Sequence, residues 1–171
     1  IGSLNQQMAA LEPLLPRVFN TLPGAKVEIR RVPPSIELGA PGGYYQAASL
    51  DGSRPGAYYI NLSNTANWPK WGLPTLTYHE ASPGHHFQIT VAREAGRLPL
   101  YRRVAGNSAF NEGWALYAEE LAIELSRHQG LTDLVPIALA DLRPTLHRFG
   151  GNHTTRHNWE INCTNRAIDW Y

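Results

Sequence analysis

Within eight consecutive positions the chain places His79, Glu80, His85 and His86. Imidazole nitrogen and carboxylate oxygen are donors that suit zinc, and a hydrolytic zinc site needs three protein ligands with one position left open for water. A carboxylate beside the first ligand can take a proton from that water. His79-Glu80 supplies such a ligand and its neighbouring base, in the order of helical H-E-x-x-H sites.

The second ligand departs from that pattern. In H-E-x-x-H the two histidines lie one helical turn apart on one face. Here the residue four beyond His79 is Pro83, which cannot ligate, and the next histidines are His85 and His86. Proline in a helix interior removes a backbone donor and clashes with the preceding turn, and Gly84 relaxes the backbone next to it. A bulged or broken helix at Ser82-Pro83-Gly84 is therefore expected. It would absorb about two residues and return His85 to the metal. His86 is the alternative ligand: on an unbroken helix it shares the face of His79, but lies roughly 10 Å further along at ~1.5 Å per residue.

A third ligand is expected from another helix. Between residues 107 and 125, apolar Phe110, Ala115, Leu121, Ala122 and Leu125 recur among polar positions. Glu112 and Glu119 share one side of this helix, about two turns apart. A carboxylate on an otherwise apolar face needs a charged or hydrogen-bonding partner. Glu112 is thus the candidate third ligand, and Glu119 the carboxylate that orients a ligand histidine. Adjacent histidines are often polar residues at a helix end, and single glutamates are often solvated. What argues against that here is the combination of His-Glu, a Pro-Gly break, His-His, and then Asn-Glu-Gly-Trp-Ala.

His79-Glu80-Ala81-Ser82-Pro83-Gly84-His85-His86 and Glu112-Gly113-Trp114-Ala115-Leu116-Tyr117-Ala118-Glu119 resemble the bacterial DUF885 family, a domain of unknown function. Ser49-Leu50-Asp51-Gly52-Ser53-Arg54-Pro55-Gly56 and Leu73-Pro74-Thr75-Leu76-Thr77-Tyr78 also fit it, and the resemblance extends over residues 27–126. It implies a zincin-like zinc metallopeptidase with one Zn2+ ion and a peptide substrate. Asn111-Glu112-Gly113-Trp114-Ala115 is also similar to the helix of gluzincin aminopeptidases whose Glu binds zinc. Members of the family are longer, with helical portions before and after this region. Residues 1–171 are therefore expected to form a single catalytic segment of a longer protein, and the opening at Ile1 fits that. Members also carry a Gly-x-His element followed by a helix near this chain's end. By that resemblance His153, ahead of Ala167-Ile168-Asp169-Trp170, is a candidate to stabilise the oxyanion.

The elements that must position these groups read as an α+β chain, mostly helical, with a small β-sheet or hairpin. Leu4, Met8, Leu11, Leu14, Leu15 and Val18 recur at helical spacing over residues 3–21, with kinks expected at Pro13 and Pro16. Lys26 to Val32 alternates as a strand and ends at Pro33-Pro34. Gly42 to Gln46 and Gly56 to Leu62 read as two further strands joined through Asp51-Gly52-Ser53-Arg54-Pro55. An edge strand there could hold a peptide by backbone pairing, and a tyrosine could serve the oxyanion. Of the four tyrosines in these strands, Tyr58 and Tyr59 are the candidates for substrate contact. Thr75 is the expected cap of the helix carrying His79, a further helix runs from Phe87 to Gly96, and Leu98 to Ala105 reads as a link. Residues 131–149 read as another helix.

Fifteen Lys and Arg against fourteen Asp and Glu leave a net charge of +1, which carries no electrostatic footprint for nucleic acid. No apolar run approaches the ~20 residues of a membrane span. The single cysteine, Cys163, excludes an internal disulfide and a cysteine-built zinc site. The expected activity is hydrolysis of peptide bonds, with Glu80 as base and His79, His85 and Glu112 as ligands. The alternatives are a metal-stabilised binding or structural module without turnover, or an inactive piece of a larger enzyme.

Overall fold

A computed structural model describes residues 1–128, 157–158 and 163–164. Helix α1 (Gly2–Leu11) runs straight into a 3-10 segment, Glu12–Arg17. The change of winding falls where Pro13 removes a donor, and Pro16 lies inside the tighter turn. Strand β1 (Val27–Arg31) follows. Strands β2 (Gly43–Gln46) and β3 (Gly56–Ile60) then form an antiparallel pair.

The sheet order is β1-β3-β2, with β1 parallel to β3 in the register Val27↔Gly56 to Arg31↔Ile60. β3 is therefore central, and its Ala57, Tyr58 and Ile60 are all buried. β2 is left as an edge. The hairpin expected from the two tyrosine-rich strands is present; the parallel partner of β3 was not foreseeable from local pattern, because parallel pairing joins segments distant in sequence.

Helices α2 (Leu73–Glu80), α3 (His85–Glu94), α4 (Leu100–Val104) and α5 (Ser108–His128) complete the described fold. Thr75 does not cap α2. The helix starts earlier, after Gly72, with Pro74 in its first turn, where a missing backbone donor costs nothing. The expected link between α3 and α5 contains the short helix α4. Asn107 accepts the Phe110 amide through its Oδ1 (3.1 Å) just ahead of α5.

α1 joins two apolar clusters. Leu4 and Met8 pack with Ile29, Tyr58 and Ile60 of the sheet and with Ala81. Leu11 and Leu15 pack with Tyr78, Phe87, Leu121, Ala122 and Leu125. Burying one such leucine contributes ~1.5–3 kcal/mol, so α1 fixes the sheet and the α2–α3–α5 layer against one another. The helix read over 131–149 lies outside the described residues.

A polar knot closes the far end of the sheet. Arg31 Nε and Nη2 donate to Glu37 Oε1 and Oε2 at 2.7 and 2.8 Å, and the Leu62 amide donates to the same Oε1 at 3.1 Å. The Arg31 hydrogen bond holds the buried Glu37 carboxyl below its ordinary range, helped by the Leu62 amide, while burial pulls the other way. A carboxyl with a lowered folded-state pKa stabilises above its unfolded pKa and loses that contribution as pH falls through the folded value. Glu37→Gln should therefore lower the unfolding midpoint in urea at pH 7, and the difference from wild type should shrink progressively below pH 4.5, the ordinary value for this carboxyl. A deficit that stays constant down to pH 2 would mean that this carboxylate's charge is not what matters.

Candidate metal centre

α2 ends at Glu80, and α3 begins at His85. The helix is broken across Ala81 to Gly84, as the Pro-Gly pair led us to expect, and the Ser82-Pro83 peptide is cis. Gly84 is required by close approach: a Cβ there would lie 1.9 Å from the His79 carbonyl oxygen and 2.3 Å from that of Tyr78. The break is tied on both sides. The His86 amide donates to Ala81 O (3.1 Å), and Trp114 Nε1 of α5 donates to Pro83 O (2.8 Å).

The rewound chain brings His85 back to His79. Their rings meet edge to face with centroids 4.7 Å apart. Glu112 of α5 faces both, with Oε2 3.5 Å from His79 Nε2 and Oε1 3.7 Å from His85 Nε2. One donor atom from each of His79, His85 and Glu112 lies within 4.8 Å of the other two, a group that could hold a metal ion.

The other nitrogen of His79 is engaged by Glu119, with Nδ1 to Oε1 at 2.6 Å. A carboxylate only accepts, so Nδ1 carries the proton and a neutral His79 presents the bare Nε2 lone pair towards Glu112. Lone pairs of Nε2 and a carboxylate oxygen repel unless a cation or a proton lies between them. Burial works against a charged His79, but the Glu119 hydrogen bond and the charges of Glu119, Glu80 and Glu112 outweigh it, and the net direction is up. The donor set thus fits a divalent ion on its chemistry: two imidazoles, one carboxylate, and an outer carboxylate that sets the tautomer.

His86, the alternative to His85, points into the sheet. Its Nε2 lies 3.0 Å from Ala25 O, and its Nδ1 lies 2.9 Å from the Tyr45 hydroxyl. A carbonyl can only accept, so Nε2 donates to it and Nδ1 accepts from Tyr45. Burial pushes the His86 pKa down to about 4, which keeps the ring neutral in this role. Gly56 makes room for the contact, since a Cβ there would sit 2.6 Å from the Tyr45 hydroxyl and 2.8 Å from His86 Nδ1.

Glu80 is 6% exposed and lines a cavity of about 230 Å³ together with Tyr45, His85, Ile89, Ser108, Asn111 and Glu112. The structure therefore gathers His79, Glu80, His85, Glu112 and Glu119 in one place. It does not bring Tyr58 and Tyr59 to that cavity. Tyr58 is wholly buried, and burial with the nearby Glu80 charge pushes its hydroxyl pKa up. Tyr59, the next residue along β3, points to the opposite face and stacks on Tyr44 (5.0 Å). The tyrosine at the cavity is Tyr45 of the edge strand; alternation pairs it with Tyr58, but only the strand order shows which of the two is open. His153 lies outside the described residues.

An α+β, mostly helical chain whose helices meet at a His-His-Glu group able to hold a metal is the class that fold and site define. Residues 1–136 match the family described as "Bacterial protein of unknown function (DUF885)", and the chain belongs to that family. It is similar to a crystal structure from Colwellia psychrerythraea, provisionally designated a lipoprotein, with 43% identity over 75% of this chain and a TM-score of 0.72. This chain spans 22% of that protein's length. None of the curated proteins compared matches it.

Two substitutions test how the group is positioned. Gly84→Ala should cost about 1–3 kcal/mol through overpacking and weaken divalent-metal binding in a chelator-competition titration with zinc as the probe ion; unchanged affinity would show that the break does not place His85. Glu119→Ala should weaken binding of the same probe ion roughly 10–100-fold, the usual loss when a carboxylate behind a ligand histidine is removed, with the folded far-UV spectrum retained.

Proposed function

We propose that this chain is the catalytic segment of a zinc-dependent hydrolase acting on peptide bonds. The observation that carries the reading is the convergence of His79, His85 and Glu112 within 4.8 Å, with Glu80 lining the same cavity. His79 Nε2, His85 and Glu112 would hold the ion. Bound zinc supplies Lewis-acid polarisation of the scissile carbonyl and lowers the pKa of water. Glu80 takes the proton of the attacking water on its carboxylate and returns it to the leaving amine. Glu119 keeps the proton of His79 on Nδ1, so that Nε2 stays a donor. Strand β2, which carries Tyr45 to the cavity, is an edge of the sheet among the described residues, along which an extended peptide can add. His153 is assigned to the oxyanion on the family resemblance.

A metal-stabilised module without turnover would close four protein ligands around the ion. Among the described residues the group offers three, and a purely structural site does not need a base beside the ion, where Glu80 lines the cavity with His85 and Glu112. Glu80→Gln should keep one zinc per chain by metal analysis while peptide hydrolysis falls by about 10²–10⁴-fold, the range for a lost general base. Full activity in the purified, metal-replete variant would overturn this mechanism. A chain that binds zinc yet cleaves no member of a peptide library would favour the structural module.

A further inference from the structure

A second cavity, of about 130 Å³, shares Tyr45, Ile89 and Asn111 with the metal cavity and is lined beyond them by Arg93, Arg102 and Arg103. Three arginines thus line a cavity that shares a wall with the one beside the ligand group. Two of them are held in place. Arg93 Nη1 donates to Ala48 O (2.6 Å), and Arg103 Nε donates to Arg93 O (2.6 Å). Arg102, also in the lining, is exposed.

None of the ion pairs formed among the described residues includes these arginines. The acids that share a cavity lining with Arg93, Arg103 or their neighbours have other partners. Glu112 faces the imidazoles, Glu94 accepts the Gly24 and Ala25 amides at 2.8 and 2.9 Å, and Asp51 accepts the Ser53 amide and hydroxyl at 3.0 and 2.7 Å. A guanidinium fork is a ready binder of a planar carboxylate, which it takes in a bidentate pair. The volume suits a small group such as a single side chain or a chain end.

We infer that the Arg93–Arg102–Arg103 cavity is a substrate subsite that takes a carboxylate of the peptide, from an acidic side chain or a free C-terminus near the scissile bond. The inference rests on the peptidase reading above and adds the class of substrate. Arg102 and Arg103 supply the charge, and Arg93 anchors Arg103 through its carbonyl.

The test uses the zinc-loaded chain and peptide pairs that differ in one group: Glu against Gln at each position, and free acid against amide at the C-terminus. At least one pair should show a kcat/KM ratio of about tenfold or more in favour of the acid, as expected for a charge-assisted contact. The pair that responds identifies the source of the carboxylate. Arg102→Met and Arg103→Met should each narrow the ratio, and Arg102→Glu should shift preference towards lysine at the responding position. Equal rates for every pair, or a preference that survives both Met variants, overturns the subsite. Hydrolysis that Glu80→Gln abolishes still supports the peptidase reading in either case. If no peptide is cut, calorimetry on the same pairs decides the subsite alone: tighter binding of the acid that Arg102→Met removes supports it, and equal affinities overturn it.

Discussion

His79 is 3% exposed and lies between two carboxylates of a single helix. Glu112 and Glu119 are seven residues apart on α5, roughly 10 Å of helical rise, and the imidazole fills the gap with one nitrogen towards each. An unpaired imidazole at this depth is costly; Glu119, itself largely buried, engages Nδ1 at 2.6 Å, while the more exposed Glu112 faces Nε2 across 3.5 Å. The clamp also fixes how α2 sits on α5. It lies beside the apolar seam of Tyr78, Phe87, Leu121, Ala122 and Leu125. Packing brings the helices together without choosing a register; the hydrogen bond from His79 Nδ1 to Glu119, with Nε2 turned to Glu112, chooses it.

Much of this was legible because the signals are local. A Pro-Gly pair inside a helical run has few outcomes, and the break at 81–84 is one of them. The seven-residue spacing of Glu112 and Glu119 placed both on one side of α5 before any partner was known. The preference for His85 over His86 followed from the same break. The placement of the tyrosines was less legible, for the opposite reason. Alternation assigns Tyr45 and Tyr58 to one face and Tyr44 and Tyr59 to the other, but it does not say which strand is central. That is decided by β1, which pairs in parallel with β3 across some thirty residues and turns Tyr58 into core. The start of α2 was misread because Thr75 is a good cap by type, while Pro74 had already set the helical φ one residue earlier.

Consecutive histidines on an intact helix point about 100° apart, at 3.6 residues per turn. Here that divergence divides the labour. His85 turns towards His79 and Glu112, and His86 turns into the sheet, where Ala25 O and the Tyr45 hydroxyl use both of its nitrogens. Ala25 is itself held by Glu94, one α3 residue reaching back to the turn before β1. The start of α3 is thus tied to β2 through Tyr45 and to the β1 approach through Ala25, while its first residue faces the ligand group.

The consequence is that the edge strand and the second imidazole of the group cannot shift independently. Moving β2 away from α3 would take the Tyr45 hydroxyl from the buried, neutral His86 and leave its Nδ1 only the longer contact to Thr90 Oγ1 (3.3 Å). Moving α3 would displace His85 and strain the close packing of Gly84 on the His79 carbonyl. A pair of adjacent histidines therefore acts as a joint between sheet and helices. Apolar packing through α1 brings the two layers together, and the two His86 hydrogen bonds and the helix break tie the strand edge to the His79–His85–Glu112 group.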